Sequence, residues 1–276
     1  MKTSVRHALA ASAFLLLAFA PSIRAQLLAQ SAPASLEDRR KALNSILQDY
    51  NEDRLKHDPE FASEQGDKRY NDQISDYSVK AVNDKLARET NFMLQLAAID
   101  PAGFTEQETA SRDQLLSKLA DDQEAAELKP WEMPITQTAG IQSTYPDLVA
   151  KLSFTSVKDY DDWIARLHLI PTAFDQVTTN MSIGMEDHRL PSADQMVKVL
   201  DQVKQIAGQK PEDSPFALPL KRFPAAVNPG EQARIRDEML AAIGKEVLPA
   251  YMRFARFLEV SYIPACRQQP AVSKQP

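Results

Sequence analysis

Few side chains in this 276-residue sequence could do chemistry, and their spacing speaks against the commonest helical metal site. The four histidines are His7, His57, His168 and His188, and they precede Ala8, Asp58, Leu169 and Arg189. No His-Glu pair therefore occurs. A helical zinc site needs two histidines on one helix face with a carboxylate beside them. His57 sits in a turn before Pro59, and His168 and His188 are too far apart to share one face. The chain is expected to carry no metal ligands, no catalytic residues and no cofactor of its own. Neither a Gly-x-Ser-x-Gly elbow nor a phosphate-cradling glycine loop is present. Cys266, the single cysteine, cannot form an internal disulfide and reads as an incidental small residue.

Other polar groups are candidates for contact rather than catalysis. Asp67, Arg69 and Tyr70 could line a cleft or hold a substrate terminus. They could equally form a turn held by an aspartate cap and an arginine ion pair. Asp159, Asp161 and Asp162 suggest a metal cluster, but acids in a first helical turn are what the macrodipole favours. Arg166 could reach substrate or pair with an acid inside the molecule. His188 follows Glu186 and Asp187 near a helix end, where a charged imidazole is stabilised. The candidate cleft contacts are thus Asp67, Arg69, Tyr70, Arg166 and His188.

The elements that must position these groups read as helices. Only seven glycines occur, against eighteen prolines, and tight hairpins want glycine. Ser35 precedes a stripe of Leu43, Ile46, Leu47 and Tyr50. Thr105 with Glu108 is a capping box, and Ser192-Ala193-Asp194-Gln195 reads as another. Helices are expected near Val79 to Ile99, Thr105 to Leu128 and Ser192 to Ala207. A long one starts at Ser156, with Tyr160, Trp163, Ile164, Leu167, Ile170, Phe174, Val177 and Met181 on one face. Pro171 inside it predicts a kink or a break. A second starts at Asn228-Pro229 and carries Ile235, Met239, Ile243, Val247, Met252, Phe257 and Leu258 to about Tyr262, interrupted at Pro249. Residues 129–153 and 209–229 read as irregular, with a short strand conceivable over Met133 to Thr138. The fold class is all-α: an irregular multi-helix bundle with two long, proline-interrupted helices.

The first residues have the pattern of a secretory signal peptide. Lys2 and Arg6 precede an apolar run from Ala8 to Ala20, and Ala25 offers the small residue at the cut. The run is short for a membrane span. The expected organisation is a signal peptide over 1–25, a linker over 26–34, a helical domain over 35–267 and a disordered tail over 268–276. Loss of Lys2, Arg6 and Arg24 takes the net charge from −6 to −9. So acidic a chain has no electrostatic reason to bind nucleic acid or an anionic membrane. The expected location is periplasmic or secreted.

Three segments carry a resemblance. Asp58 to Asp72 contains Pro59, a short helical stretch, then Gly66-Asp67-Lys68-Arg69-Tyr70 and an acidic turn. Asp159 to Leu167 reads Asp-Tyr-Asp-Asp-Trp-Ile-Ala-Arg-Leu and continues through Pro171 to Gly184 and Pro191. Val247-Leu248-Pro249-Ala250-Tyr251 is followed by Tyr262-Ile263-Pro264-Ala265-Cys266-Arg267. In this order the segments resemble the domain of unknown function 885 family across about residues 35 to 267. The remaining residues, from Gln268, do not resemble it.

That resemblance implies an exported, mostly helical bacterial protein similar to zinc metallopeptidases. In the family the zinc helix lies further downstream, so zinc belongs to the full-length relatives. The chain then reads as the non-catalytic N-terminal half of such a protein, from a truncated or split frame, inactive alone. Its partner would be a downstream polypeptide carrying the zinc helix. The apolar stripe of the Asn228 helix would then be exposed for that half to cover. The alternative is a standalone periplasmic helical module binding a peptide or a partner protein. A product without function is the third reading.

Overall fold

The computed structural model describes residues 34–267, and all structural statements refer to these. The signal peptide, the tail and all of the linker but Ala34 lie outside the described residues. The helices are α1 (Leu36–His57), α2 (Pro59–Glu64), α3 (Val79–Ala97), α4 (Glu106–Glu127), α5 (Ile141–Lys151), α6 (Val157–Glu186), α7 (Ala193–Ala207), α8 (Pro229–Ala242) and α9 (Leu248–Phe257). Among the described residues no strand occurs. One isolated parallel bridge joins Ser192 to Arg267. No helix among them is long and apolar enough to cross a membrane.

Most of the starts follow from their caps. The side chains of Ser35, Ser78, Thr105, Ser156 and Asn228 each accept a backbone N–H of the following turn. Each satisfies a donor that would otherwise have no partner. Thr105–Glu108 and Ser156–Asp159 are full capping boxes. Ser192 differs from the expectation. It precedes α7, but its side chain makes no capping bond. The Ala193 N–H instead donates to the Arg267 carbonyl at 2.9 Å, and the Arg267 N–H to the Pro191 carbonyl at 3.2 Å. Arg267, two residues past the short helical turn Ile263–Ala265, thus substitutes for the serine. No strand forms over Met133 to Thr138, where a 3-10 turn (Pro130–Glu132) leads into a turn closed by the Thr136 N–H and the Ala139 carbonyl.

α6 is the central element. Every apolar residue read onto its face is buried, from Tyr160 to Met181. Pro171 lies inside it without ending it. A mid-helix proline costs about 3 kcal/mol. Ile170, Ala173 and Phe174, buried on both sides of it, offset that cost, since each large apolar side chain buried is worth roughly 1.5–3 kcal/mol. Phe174 packs on Tyr251 and Phe254 of α9, with ring centroids 4.6 and 5.2 Å apart. The Trp163 indole donates to the Phe216 carbonyl at 3.1 Å, and the Tyr251 hydroxyl to the Gln142 carbonyl at 2.9 Å.

The helix from Asn228 absorbs its prolines differently. Two π-helical segments, Ile243–Val247 and Leu258–Tyr262, lie just ahead of Pro249 and Pro264. The inward residues then step by fours: Ile235, Met239, Ile243, Val247, Tyr251 and Ala255, all buried. In a 3.6-residue helix each such step would drift by about 40°. The wider π turns take up that drift. Met252, expected inside, is 52% exposed, and Tyr251 takes its place at 0%. The apolar stripe is therefore buried within this chain, against α6 and α7, and is not an open face.

A second, smaller core joins α1, α3 and α4 through Leu43, Ile46, Leu96, Ile99, Leu115 and Leu119. The segment 58–77 runs between this three-helix layer and the larger core.

A candidate ligand cleft between the two cores

The segment 58–77 is anchored by polar groups of α6. Arg166, fully buried, donates from Nε to the Gln73 carbonyl at 2.6 Å. Its Nη2 donates to the Pro59 and Tyr70 carbonyls at 3.0 and 3.1 Å and lies 2.9 Å from the Ser63 hydroxyl. Burial pulls the guanidinium below its ordinary pKa, opposed by the charges of Glu60 and neighbouring groups. Further along α6, Gln176 bonds the Tyr77 N–H and the Asp76 carboxylate, both at 2.8 Å. Asn180 donates to the Tyr77 carbonyl at 2.7 Å. One helix thus presents an apolar face to the core and a polar row to this segment.

Glu60 ties the segment to α5. It accepts from the Ser75 N–H at 3.1 Å, from the Ser75 hydroxyl and from the Tyr145 hydroxyl at 3.0 Å. Burial raises the Tyr145 hydroxyl pKa well above its usual value, and the charges near it add to this. Tyr77 is raised for the same reason, first by burial and then by Glu60. Both phenols stay protonated, and Tyr145 donates to Glu60.

Beside this segment lies a cleft of about 730 Å³, a size suited to a small ligand or a short stretch of peptide. Its walls come from the second half of α1, the start of α2, residues 74–77, α3, and the Lys118–Asp122 face of α4. Most cations in it are already engaged. Arg88 pairs with Asp53 at 3.1 Å, Lys85 with Glu89 at 3.2 Å and Lys118 with Asp122 at 2.5 Å, while Arg54 lies 3.5 Å over the Phe61 ring. Asp58 caps α2 through the Phe61 N–H, yet its pKa is raised, chiefly by burial.

The five candidate contacts read from sequence lie outside the lining of this cleft, whereas His57 is part of it. Asp67 caps the 3-10 turn Lys68–Tyr70 and binds Arg69, whose other arm reaches Glu52 at 2.8 Å. Arg69 also lies 5.4 Å from the Tyr70 ring centre. This is the turn held by cap and ion pair. Arg166 pairs with no carboxylate; its partners are carbonyls and a hydroxyl, one of them the Tyr70 carbonyl. His188 takes a left-handed conformation (φ 56°) just past the end of α6, and the next N–H, Arg189, closes on the Gly184 carbonyl at 2.7 Å. Its role there is that of a helix stop. Asp159 accepts from Lys68 at 2.6 Å and from the Ser156 and Thr155 amides, while Asp161 and Asp162 pair with Arg234 and Lys158. His168 contacts Glu246, and His57 contacts Asp53. Sequence reading missed Glu60, Ser75, Tyr77 and Tyr145. The legible signal was Glu60 itself, a carboxylate one residue past the N-terminal proline of a short helix.

The family model described as "Bacterial protein of unknown function (DUF885)" matches residues 59–275. The match starts later than the resemblance read from sequence and continues past Arg267, where that resemblance had ended. No curated protein matches. A solved structure described as "the putative lipoprotein from Colwellia psychrerythraea" superposes with a TM-score of 0.76 at 15% identity. The superposition covers 86% of this chain and 44% of the other, so the chain spans less than half the length of that protein. At such identity the likeness concerns the fold. With a family match over most of its length, the chain belongs to the DUF885 family of bacterial proteins of unknown function.

Proposed function

We propose that this chain is the non-catalytic, ligand-holding part of an exported zinc-metallopeptidase-like protein, whose zinc helix belongs to a part outside this sequence. The observation that carries the reading is the superposition of 86% of the chain on 44% of a longer protein of the same fold. The cleft between the two cores supports a role for such a part as a wall on which a peptide lies. Export is supported by the signal-like pattern of residues 1–25 and by the description of the structural neighbour as a lipoprotein. The mature chain would act in the periplasm or outside the cell.

A second reading, a standalone periplasmic module that binds a peptide or partner protein, is favoured by one feature. The inward stripe of α8 and α9 is buried within the chain, so this body does not need another half to cover it. The readings separate when the chain is mixed with a polypeptide carrying the family's zinc helix. Chelator-sensitive peptide hydrolysis by the mixture, absent from either part, supports the split enzyme. Peptide binding unchanged by the second polypeptide, with no hydrolysis, supports the module. Chelator-sensitive hydrolysis by the chain alone refutes both.

A further inference from the structure

The cleft's charges are unevenly matched. Asp58, Glu60 and Asp76 line it outside any salt bridge, although the charges of Arg54 and Arg166 act on the first two: they accept from the Phe61 amide, from Ser75 and Tyr145, and from the Ser78 amide and Gln176. A fourth acid, Glu89 of α3, is only 6% exposed. It holds Lys85 with Oε1, and its buried Oε2 has no hydrogen-bond partner. A buried carboxylate oxygen without a partner costs about 1–3 kcal/mol or more and is worth an explanation. Tyr50 and Tyr77 add aromatic rings to the same walls. Carboxylates interleaved with aromatic rings are what organic cations bind, through charge-assisted hydrogen bonds and ring faces. Among the described residues no group of three His, Cys, Asp or Glu side chains has the geometry to hold a metal ion. The volume also suits a side chain better than a bare ion.

We propose that the cleft binds an organic cation, the ammonium or guanidinium of a Lys or Arg side chain on a peptide, with Glu89 as its counter-ion. The proposal rests on the peptide-binding reading above for the source of that cation. A free amine of the same chemistry is the other source. Binding at Glu89 loosens the Lys85 contact and puts the ligand's charge in the place of Lys85 beside Oε1. Asp58 and Asp76 supply the surrounding negative potential.

The test is a titration of the full chain with three probes: a hexapeptide containing Lys and Arg, the same peptide with acetyl-lysine and citrulline, and free agmatine. The basic peptide should bind saturably and its neutral counterpart at least tenfold more weakly, and added salt should erode the difference. Glu89→Gln, which keeps the shape, should cost at least tenfold in affinity for the basic peptide. Asp58→Asn, which keeps the cap, should weaken binding by a smaller factor. Thermal melts of both variants check that they fold. Agmatine binding that Glu89→Gln abolishes, without peptide binding, sustains the cation site and removes the peptide reading. Equal binding of the basic and neutral peptides sustains the peptide reading and overturns the cation site. Binding of no probe, or affinity indifferent to Glu89→Gln in a folded variant, also overturns it.

Discussion

The Arg166 guanidinium donates to the Tyr70 carbonyl at 3.1 Å across 96 residues of sequence. The family-like segments around Gly66–Tyr70 and Asp159–Leu167 are thus two sides of one contact. Replacing Arg166 with leucine strands the Gln73 carbonyl and removes two further charge-assisted bonds, although the Pro59 and Tyr70 carbonyls keep the Ser63 hydroxyl at 2.8 Å and the Gln73 N–H at 3.0 Å. A stranded buried carbonyl costs about 1–3 kcal/mol, and each lost hydrogen bond to a charged group about 1.5–3 kcal/mol. The expected result is a loss of about 3 kcal/mol or more in urea unfolding, with early proteolysis between residues 58 and 77. A variant within 1 kcal/mol of the parent would show that the carbonyls find water instead.

Gly184 is required by packing. A Cβ there would lie 2.5 Å from the Glu132 carbonyl oxygen, a backbone atom that cannot swing aside. Glu132 is itself fixed, fully buried between Lys129 at 3.0 Å and Arg189 at 2.8 Å. Gly184→Ala should therefore lower stability by about 1–3 kcal/mol despite alanine's better helix propensity. A stabilised variant would mean that the turn Pro130–Glu132 does not press on α6.

Much of this architecture was legible, and the misses have physical causes. The apolar face of α6 could be read because buried residues at steps of three and four have one helical explanation. The face of the Asn228 helix was misread at Met252, five residues past Val247, where the buried residue is Tyr251, four past it. The role of Arg166 was half legible. A lone arginine on an apolar face announces a buried contact, but it does not say that the partners are carbonyls from a distant turn. The cleft was not legible, because Glu60 and Glu89 come together with residues 74–77 only through tertiary packing.

The Cys266 thiol is buried, and that burial pushes its pKa up to about 11. The thiolate is the reactive form. At pH 8 the thiolate population should be roughly two-hundredfold below that of an ordinary cysteine with a pKa near 8.5. Alkylation by iodoacetamide should be slower in the native chain by at least that factor and should recover in denaturant. Native alkylation at the rate of the unfolded chain would contradict the placement of Cys266 against the main core.

Acid should weaken the start of α6. Burial works to raise the Asp159 carboxyl, but Lys68 and the Thr155 and Ser156 groups outweigh it and hold the pKa below the usual range. A carboxyl lowered in the folded state stabilises above its unfolded pKa, near 3.9, and loses that contribution as pH falls through the folded value. The stability difference between the parent and Asp159→Asn should be full at pH 6 and shrink as pH drops below about 4. A difference that stays constant from pH 6 to pH 2 would show that the charge contributes nothing.

The central claim is binding without turnover, and one sample tests it. The chain is titrated into a labelled peptide mixture while anisotropy, cleavage products by mass spectrometry and zinc by elemental analysis are followed together. The account predicts saturable binding, intact peptides and no stoichiometric zinc. One zinc per chain with chelator-sensitive cleavage, or no binding at any concentration, would contradict it.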